Sequence, residues 1–226
     1  MKVFHKTASI EDMYEAAIED GVYVIRDYIE GQALKNLHDQ VLSEIKQKGG
    51  ENPFGRNLRG PSLNQYRKES AIYETFSAPW MKELYLRLTN GKSKGYGLSV
   101  YANHDYIISD ELARFGWLHF DRTPSWKYFI YLNDIDESSG AFSIVPKSHL
   151  LGSQLLQQAW SENRNYENVK NRIELDYPDI YEEVDVVPIE APAGTLIAFD
   201  TNCFHRGGLI LEEGKERIVV RLNSYK

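Results

Sequence analysis

Apolar positions in the first third of the chain recur at helical spacing. Leu34, Leu37, Val41 and Ile45 follow one another every three or four residues and stop at Gly49-Gly50, which predicts a helix with one apolar stripe and a glycine end. Ser9 with Asp12 has the form of a capping box, so a shorter helix is expected between there and Gly21. Val22-Tyr23-Val24-Ile25 then reads as a strand. A third helical stretch begins near Glu69, carries Ile72 and Phe76, breaks at Pro79 and continues its stripe through Trp80, Leu84 and Leu88.

From Gly95 onward the period changes, and short β-branched or aromatic runs alternate with turn residues. The expected strands are Tyr96 to Ala102, Phe115 to Asp121, Trp126 to Leu132, Phe142 to Val145, Val184 to Ile189, Thr195 to Asp200 and Ile218 to Asn223. Residues 147–183, polar but holding Leu155, Leu156 and Trp160, read as an insertion with one or two helices, the kind of segment that forms a lid or binding loop. The pattern predicts a mainly β sandwich or barrel with flanking helices. One domain is expected over 1–226, with a helical part over about 1–94 and a β core over about 95–226.

Composition narrows the function classes. A formal charge of −7 with scattered basic residues disfavours a nucleic-acid partner, although it says nothing against a small anionic ligand. No apolar run is long enough to span a membrane, and Met1 to Ile10 lacks the apolar stretch of a secretory signal. The single cysteine, Cys203, forms no internal disulfide, and a cytoplasmic location is expected.

The candidate chemistry starts at His119-Phe120-Asp121. On an extended segment, residues two apart share a face, so Trp117, His119 and Asp121 point one way and Leu118 and Phe120 the other. His119 and Asp121 can therefore grip one ion. Two imidazoles and a carboxylate are the ligand set of the facial triad of non-haem Fe(II) oxygenases, which leaves coordination positions open. With six histidines in the chain, a lone His-x-Asp is weak evidence, so its context must carry the reading. The apolar run Thr195 to Phe199, entered through Pro192-Ala193-Gly194, leads to His205 before Gly207-Gly208. Twelve residues further on, Arg217 offers a charged fork suited to a carboxylate. The plainer alternative is an exposed cation paired with Glu212, Glu213 or Glu216.

Those residues, with Tyr128 to Ile135, Gly140, Val145-Pro146-Lys147-Ser148-His149 and Gly21 to Ile25, resemble the phytanoyl-CoA dioxygenase family of Fe(II)- and 2-oxoglutarate-dependent oxygenases along nearly the whole chain. The resemblance implies a double-stranded β-helix, a cupin-like jelly roll. It implies that His119, Asp121 and His205 bind iron and that Arg217 pairs with the distal carboxylate of 2-oxoglutarate. O2 is then the second co-substrate, and a C–H bond of a small molecule is hydroxylated with release of succinate and CO2. An intact Asp121 favours hydroxylation over halogenation, with desaturation or ring closure also open.

Trp117, Arg122, Lys127, Tyr131 and Arg221 are candidate substrate contacts, Arg221 because it shares a strand face with Arg217. Arg56 and Arg59 could belong to an entrance loop. The adjacent pairs His38-Asp39 and His104-Asp105 do not fit a ligand geometry, His149 is expected to order its own loop, and Cys203 to fill a small buried site. The alternatives are a non-catalytic jelly-roll metal- or ligand-binding protein and a protein-residue hydroxylase. Substrate and oligomeric state are open at this level.

Overall fold

The computed structural model describes residues 1–91, 98–108, 116–163 and 165–225, so Gly95 and the first residues of the strands predicted from Tyr96 and Phe115 lie outside it. Strand β1 (Lys2–His5) pairs in parallel with β2 (Val22–Arg26), and α1 (Ile10–Asp20) connects them. The Ser9 hydroxyl accepts from the Asp12 amide while the Asp12 carboxylate accepts from the Ser9 amide, which is the predicted capping box. The helix stops at Gly21, whose φ of 70° is left-handed. A Cβ there would lie 2.5 Å from Cys203 Sγ and 2.6 Å from His149 Nδ1, so glycine both turns the chain and lets two later segments close on it.

Helix α2 (Gly31–Lys48) buries Leu37, Val41 and Ile45, the stripe read from the sequence. Strands β3 (Gly50–Asn52) and β4 (Gly55–Leu58) form a hairpin, followed by α3 (Ala71–Phe76) and α4 (Pro79–Leu88). The remaining elements are β5 (Leu98–Asp105), β6 (Ser125–Tyr131), β7 (Ser143–Ile144), α5 (His149–Glu162), α6 (Ile173–Asp176), α7 (Pro178–Tyr181), β8 (Val187–Pro188), β9 (Leu196–Asp200), β10 (His205–Arg206) and β11 (Arg217–Tyr225).

Among the described residues, eight strands form one sheet in the order β1-β2-β9-β6-β11-β5-β4-β3, and β10-β7-β8 form a smaller one. Apart from the β1–β2 pair, the ladders are antiparallel. Phe129 and Phe199 of the large sheet meet Phe142, next to β7, at ring separations of 5.2 and 4.7 Å, and this apolar layer between the sheets is the interior of the jelly-roll core. The alternation along β6 and β11 decides which side chains enter the cavity. Trp126, Tyr128 and Ile130 with Ile218, Val220 and Leu222 pack outward under the helices. Lys127, Phe129 and Tyr131 with Arg217, Val219, Arg221 and Asn223 point inward.

Three features depart from the sequence pattern. The first 94 residues are not only helical, because β1, β3 and β4 join the large sheet at its two edges. The β3 and β4 sequences, Gly-Glu-Asn and Gly-Arg-Asn-Leu, have little strand propensity of their own, and β4 is held by pairing Gly55 to Leu58 with Asp105 to Ala102. The Phe115 to Asp121 strand is reduced, over its described part, to bridges from His119 to His205 and to Arg172. Finally, β9 ends at Asp200, and His205 lies after a turn, on β10 of the other sheet. Cys203 consequently does not continue the β9 strand; it is buried in that turn.

The 147–183 insertion folds as α5, a 3-10 turn at Tyr166–Asn168, α6 and α7. Leu155, Leu156 and Ala159 of α5 pack with Leu118, Phe120 and Phe204 beneath the His119 segment. Phe120 is fully buried, and truncating such a side chain costs about 3–5 kcal/mol. The alternation read at 117–121 is therefore structural: the apolar face docks on the insertion, and the polar face is turned toward the cavity.

Candidate metal centre and its cavity

His119 and His205 are locked together by paired backbone hydrogen bonds, His119 N–H to the His205 carbonyl at 2.9 Å and the reverse at 2.8 Å. Asp121 is tied in by its own amide, which donates to Thr201 O at 2.9 Å. The Asp121 Oδ1 then lies 3.8 Å from His119 Nε2 and 3.6 Å from His205 Nε2. One donor atom from each residue fits within 4.8 Å of the other two. Bonds of about 2.1 Å at right angles would set neighbouring donors roughly 3 Å apart, so small side-chain rotations would close this set around one ion.

The outer nitrogens fix the tautomers. His119 Nδ1 is 2.8 Å from the Trp117 carbonyl and His205 Nδ1 is 2.7 Å from the Cys203 carbonyl. A carbonyl only accepts, so each Nδ1 carries the proton and each Nε2 presents its lone pair inward. Burial pushes both imidazoles below the usual histidine range, with Asp121 opposing it in each case and the neighbouring His119 adding to the fall at His205. Both rings are thus held in the neutral form that ligates metal.

Lys127 donates to Asp121 Oδ2 at 2.6 Å, leaving Oδ1 to face the histidines. Burial raises the Asp121 pKa, but Lys127, His205 and His119 outweigh it and hold the carboxyl well below its ordinary range. The donor set, two neutral imidazoles and an ionised carboxylate, fits Fe(II) with coordination positions left over.

These groups open onto a cavity of about 810 Å³. Arg122, Lys127, Tyr131, Arg217 and Arg221 all line it, whereas the Trp117 side chain does not and contributes its carbonyl instead. Tyr131 is fully buried, donating to Ile189 O at 3.1 Å and accepting from the Phe142 amide at 2.9 Å, with burial pushing its phenol up to about 12. Arg221 stacks over Tyr101 and Phe129 at 5.1 and 5.5 Å. Arg59 lines the cavity, while Arg56 bonds the Gly49 carbonyl instead. His149 contacts the Ile18 carbonyl at 3.2 Å, consistent with an ordering role.

Arg217 is not the glutamate-paired cation of the plainer alternative. It pairs with none of Glu212, Glu213 or Glu216; its Nε and Nη2 reach Asp105 Oδ2 at 3.2 and 2.8 Å, and Nη1 donates to Gly140 O at 2.5 Å. The protein itself supplies the anion that an arginine here requires, so burial of Arg217 alone does not demand an acidic ligand. Asp105 comes from the pair set aside as a poor metal motif, and the β5–β11 register, Asp105 opposite Arg217, brings it in. Tyr166, Asn171 and Arg172 of the insertion also line the cavity and were not foreseen. The Asn171 side chain donates to Phe120 O at 2.7 Å and the Phe120 amide donates to Asn171 O at 3.2 Å, a long-range pairing that no local pattern announces.

The model of the phytanoyl-CoA dioxygenase (PhyH) family matches residues 69–213, more than half of the chain, and that span contains all three converging candidate ligands. The protein belongs to the phytanoyl-CoA dioxygenase family. No curated protein sequence is significantly similar to it. Solved structures share its fold at low identity. The epimerase SnoN in complex with Fe3+, alpha ketoglutarate and nogalamycin RO matches with TM-score 0.63 at 12% identity, over 96% of this chain and 83% of that one. The alpha ketoglutarate dependent carbocyclase SnoK matches with TM-score 0.61 at 15% identity, over 98% and 85%. AviO1 from Streptomyces viridochromogenes Tue57 matches with TM-score 0.60 at 14% identity, over 97% of each chain. As a phytanoyl-CoA dioxygenase family member with this donor set, the protein is a 2-oxoglutarate-dependent non-haem iron enzyme. Among the described residues, no helix is long and apolar enough to cross a membrane.

Proposed function

We propose that the protein hydroxylates an unactivated C–H bond of a small molecule, with His119, Asp121 and His205 as the iron ligands and Arg217 as the anchor for the distal carboxylate of 2-oxoglutarate. The observation that carries this reading is the convergence of two Nε2 atoms and one carboxylate oxygen, with both Nδ1 protons committed to carbonyls, on a cavity large enough for a co-substrate and a substrate. When bound, iron and 2-oxoglutarate supply the oxidising power needed to break a C–H bond, with succinate and CO2 as by-products.

The chain's own residues supply geometry and exclusion of water. Phe199 and Phe142 pack against the His205 ring at 5.0 and 5.9 Å, making a dry wall on one side of the site. Lys127 holds the outer oxygen of Asp121, so a single oxygen is presented to the metal. With iron bound, Asp121 would occupy the position that a halide needs. The insertion residues Tyr166, Asn171 and Arg172 wall the cavity, which favours a small molecule over a polypeptide.

Purified protein given Fe(II), O2 and 2-oxoglutarate should form succinate slowly even without substrate, and His205→Ala should not. Iron bound stoichiometrically with no succinate from wild type would instead favour the non-catalytic metal-binding alternative. Product analysis with an accepted substrate separates hydroxylation from desaturation or ring closure.

A further inference from the structure

The protein is acidic, yet its cavity is basic. A formal net charge of −7 contrasts with a lining, among the described residues, of Arg59, Arg122, Lys127, Arg172, Arg217 and Arg221 against only Asp105 and Asp121. Six cations and two anions leave an excess of four positive charges. Iron adds two positive charges and 2-oxoglutarate removes two, so the cofactor set leaves that excess unanswered. Two of the cations are already neutralised within the protein, Lys127 by Asp121 and Arg217 by Asp105.

Arg122 and Arg172 are not. Among the described residues, no carboxylate forms an ion pair with either. Both are nevertheless held in place. Arg122 Nε donates to Val169 O at 2.8 Å and its guanidinium lies 5.5 Å from the Tyr166 ring centre, which leaves both terminal nitrogens without an acceptor among the described residues. Arg172 stacks 6.0 Å from the Trp117 ring centre, and its backbone is bridged to His119. Cross-strand neighbours lie roughly 5 Å apart, so the Arg172 side chain starts from the backbone beside a proposed metal ligand and lines the same cavity. Arg122 directly follows Asp121 in the chain. Two half-buried guanidinium groups, stacked on aromatic rings and lacking counter-ions, are a preorganised receptor for an oxyanion.

We propose that the substrate is an anion whose carboxylate or phosphate is held by Arg122 and Arg172, on the insertion side of the cavity next to the metal centre. This rests on the oxygenase reading above and narrows it to acidic small molecules. The two arginines arrive from different segments, one beside the metal ligand and one from the insertion, so the site exists only when the insertion is docked.

The test uses full-length protein loaded anaerobically with Fe(II) and saturating 2-oxoglutarate, titrated calorimetrically with three probes of similar shape: phenylacetate, phenyl phosphate and neutral phenylacetamide. At least one anion should bind and the amide should not, and raised salt should weaken binding. Arg122→Gln and Arg172→Gln should each weaken the anion about tenfold, while Arg122→Lys and Arg172→Lys keep most of the affinity. Iron and 2-oxoglutarate binding by the variants, read from the visible charge-transfer band, should match wild type, which shows that they are folded. Preference between phenylacetate and phenyl phosphate names the source of the charge. No anion binding, equal binding of the amide, or undiminished affinity in a variant carrying both Arg122→Gln and Arg172→Gln overturns the proposal. Anion binding that depends on these arginines in a wild-type protein that takes up no 2-oxoglutarate leaves the anion site standing and sinks the oxygenase reading instead.

Discussion

Replacing Asp105 by Asn removes the only carboxylate that pairs with Arg217 among the described residues. The carboxylate is almost fully buried and the arginine side chain is 14% exposed, so water screens little of the interaction. Breaking a buried pair by removing one partner costs about 3–5 kcal/mol, because the other charge stays behind uncompensated. Retained bonding to the Gly140 carbonyl, and some from the new amide, puts the expected loss near the lower end, about 3 kcal/mol. For a chain of this size that corresponds to a fall in Tm of roughly 6–12 °C. Denaturant unfolding and calorimetry of the metal-free protein measure it. Asp105→Leu with Arg217→Met, which removes both charges, should recover most of the loss. Because 2-oxoglutarate would bring Arg217 a new counter-ion, it should raise the Tm of Asp105→Asn by more than it raises that of wild type. A loss below about 1 kcal/mol would refute the claim that Asp105 neutralises Arg217 in a poorly solvated site.

Other outcomes follow from the same geometry. Arg217→Gln should raise the 2-oxoglutarate requirement about tenfold or more while leaving iron content near wild type, and equal loss of iron would argue against its role as an anchor. Gly152→Ala would place a Cβ 1.9 Å from the Asn202 carbonyl oxygen, in the turn that delivers His205, so overpacking of about 1–3 kcal/mol and weaker iron retention are expected together. Unfolding curves and iron analysis check this, and unchanged stability would contradict the packing of α5 on that turn. Tyr131→Phe should cost about 1–3 kcal/mol, from the Phe142 amide and Ile189 carbonyl it leaves behind, without shifting iron affinity.

Much of the site was legible because it obeys periodicity. The two-residue alternation at 117–121 separates Leu118 and Phe120, buried on the insertion, from His119 and Asp121. The same rule puts Arg217 and Arg221 on one face of β11, and both line the cavity. What the sequence hid depends on long-range register. Asp105 meets Arg217 across 112 residues, and His205 reaches His119 only after a turn carries the chain from one sheet to the other. Strands β3 and β4 are too short and polar to signal themselves, and they exist because β5 offers an edge to pair with. Arg172 gave no local sign either, since it reaches the cavity through the bridge between the insertion and His119.

The most direct test of the metal assignment is an anaerobic titration of Fe(II) into protein saturated with 2-oxoglutarate, followed in the visible range. A weak metal-to-ligand charge-transfer band should appear at one iron per chain and be absent from Asp121→Ala. Wild-type protein that develops no band and binds no 2-oxoglutarate, or an Asp121→Ala protein with an undiminished band, would contradict the account.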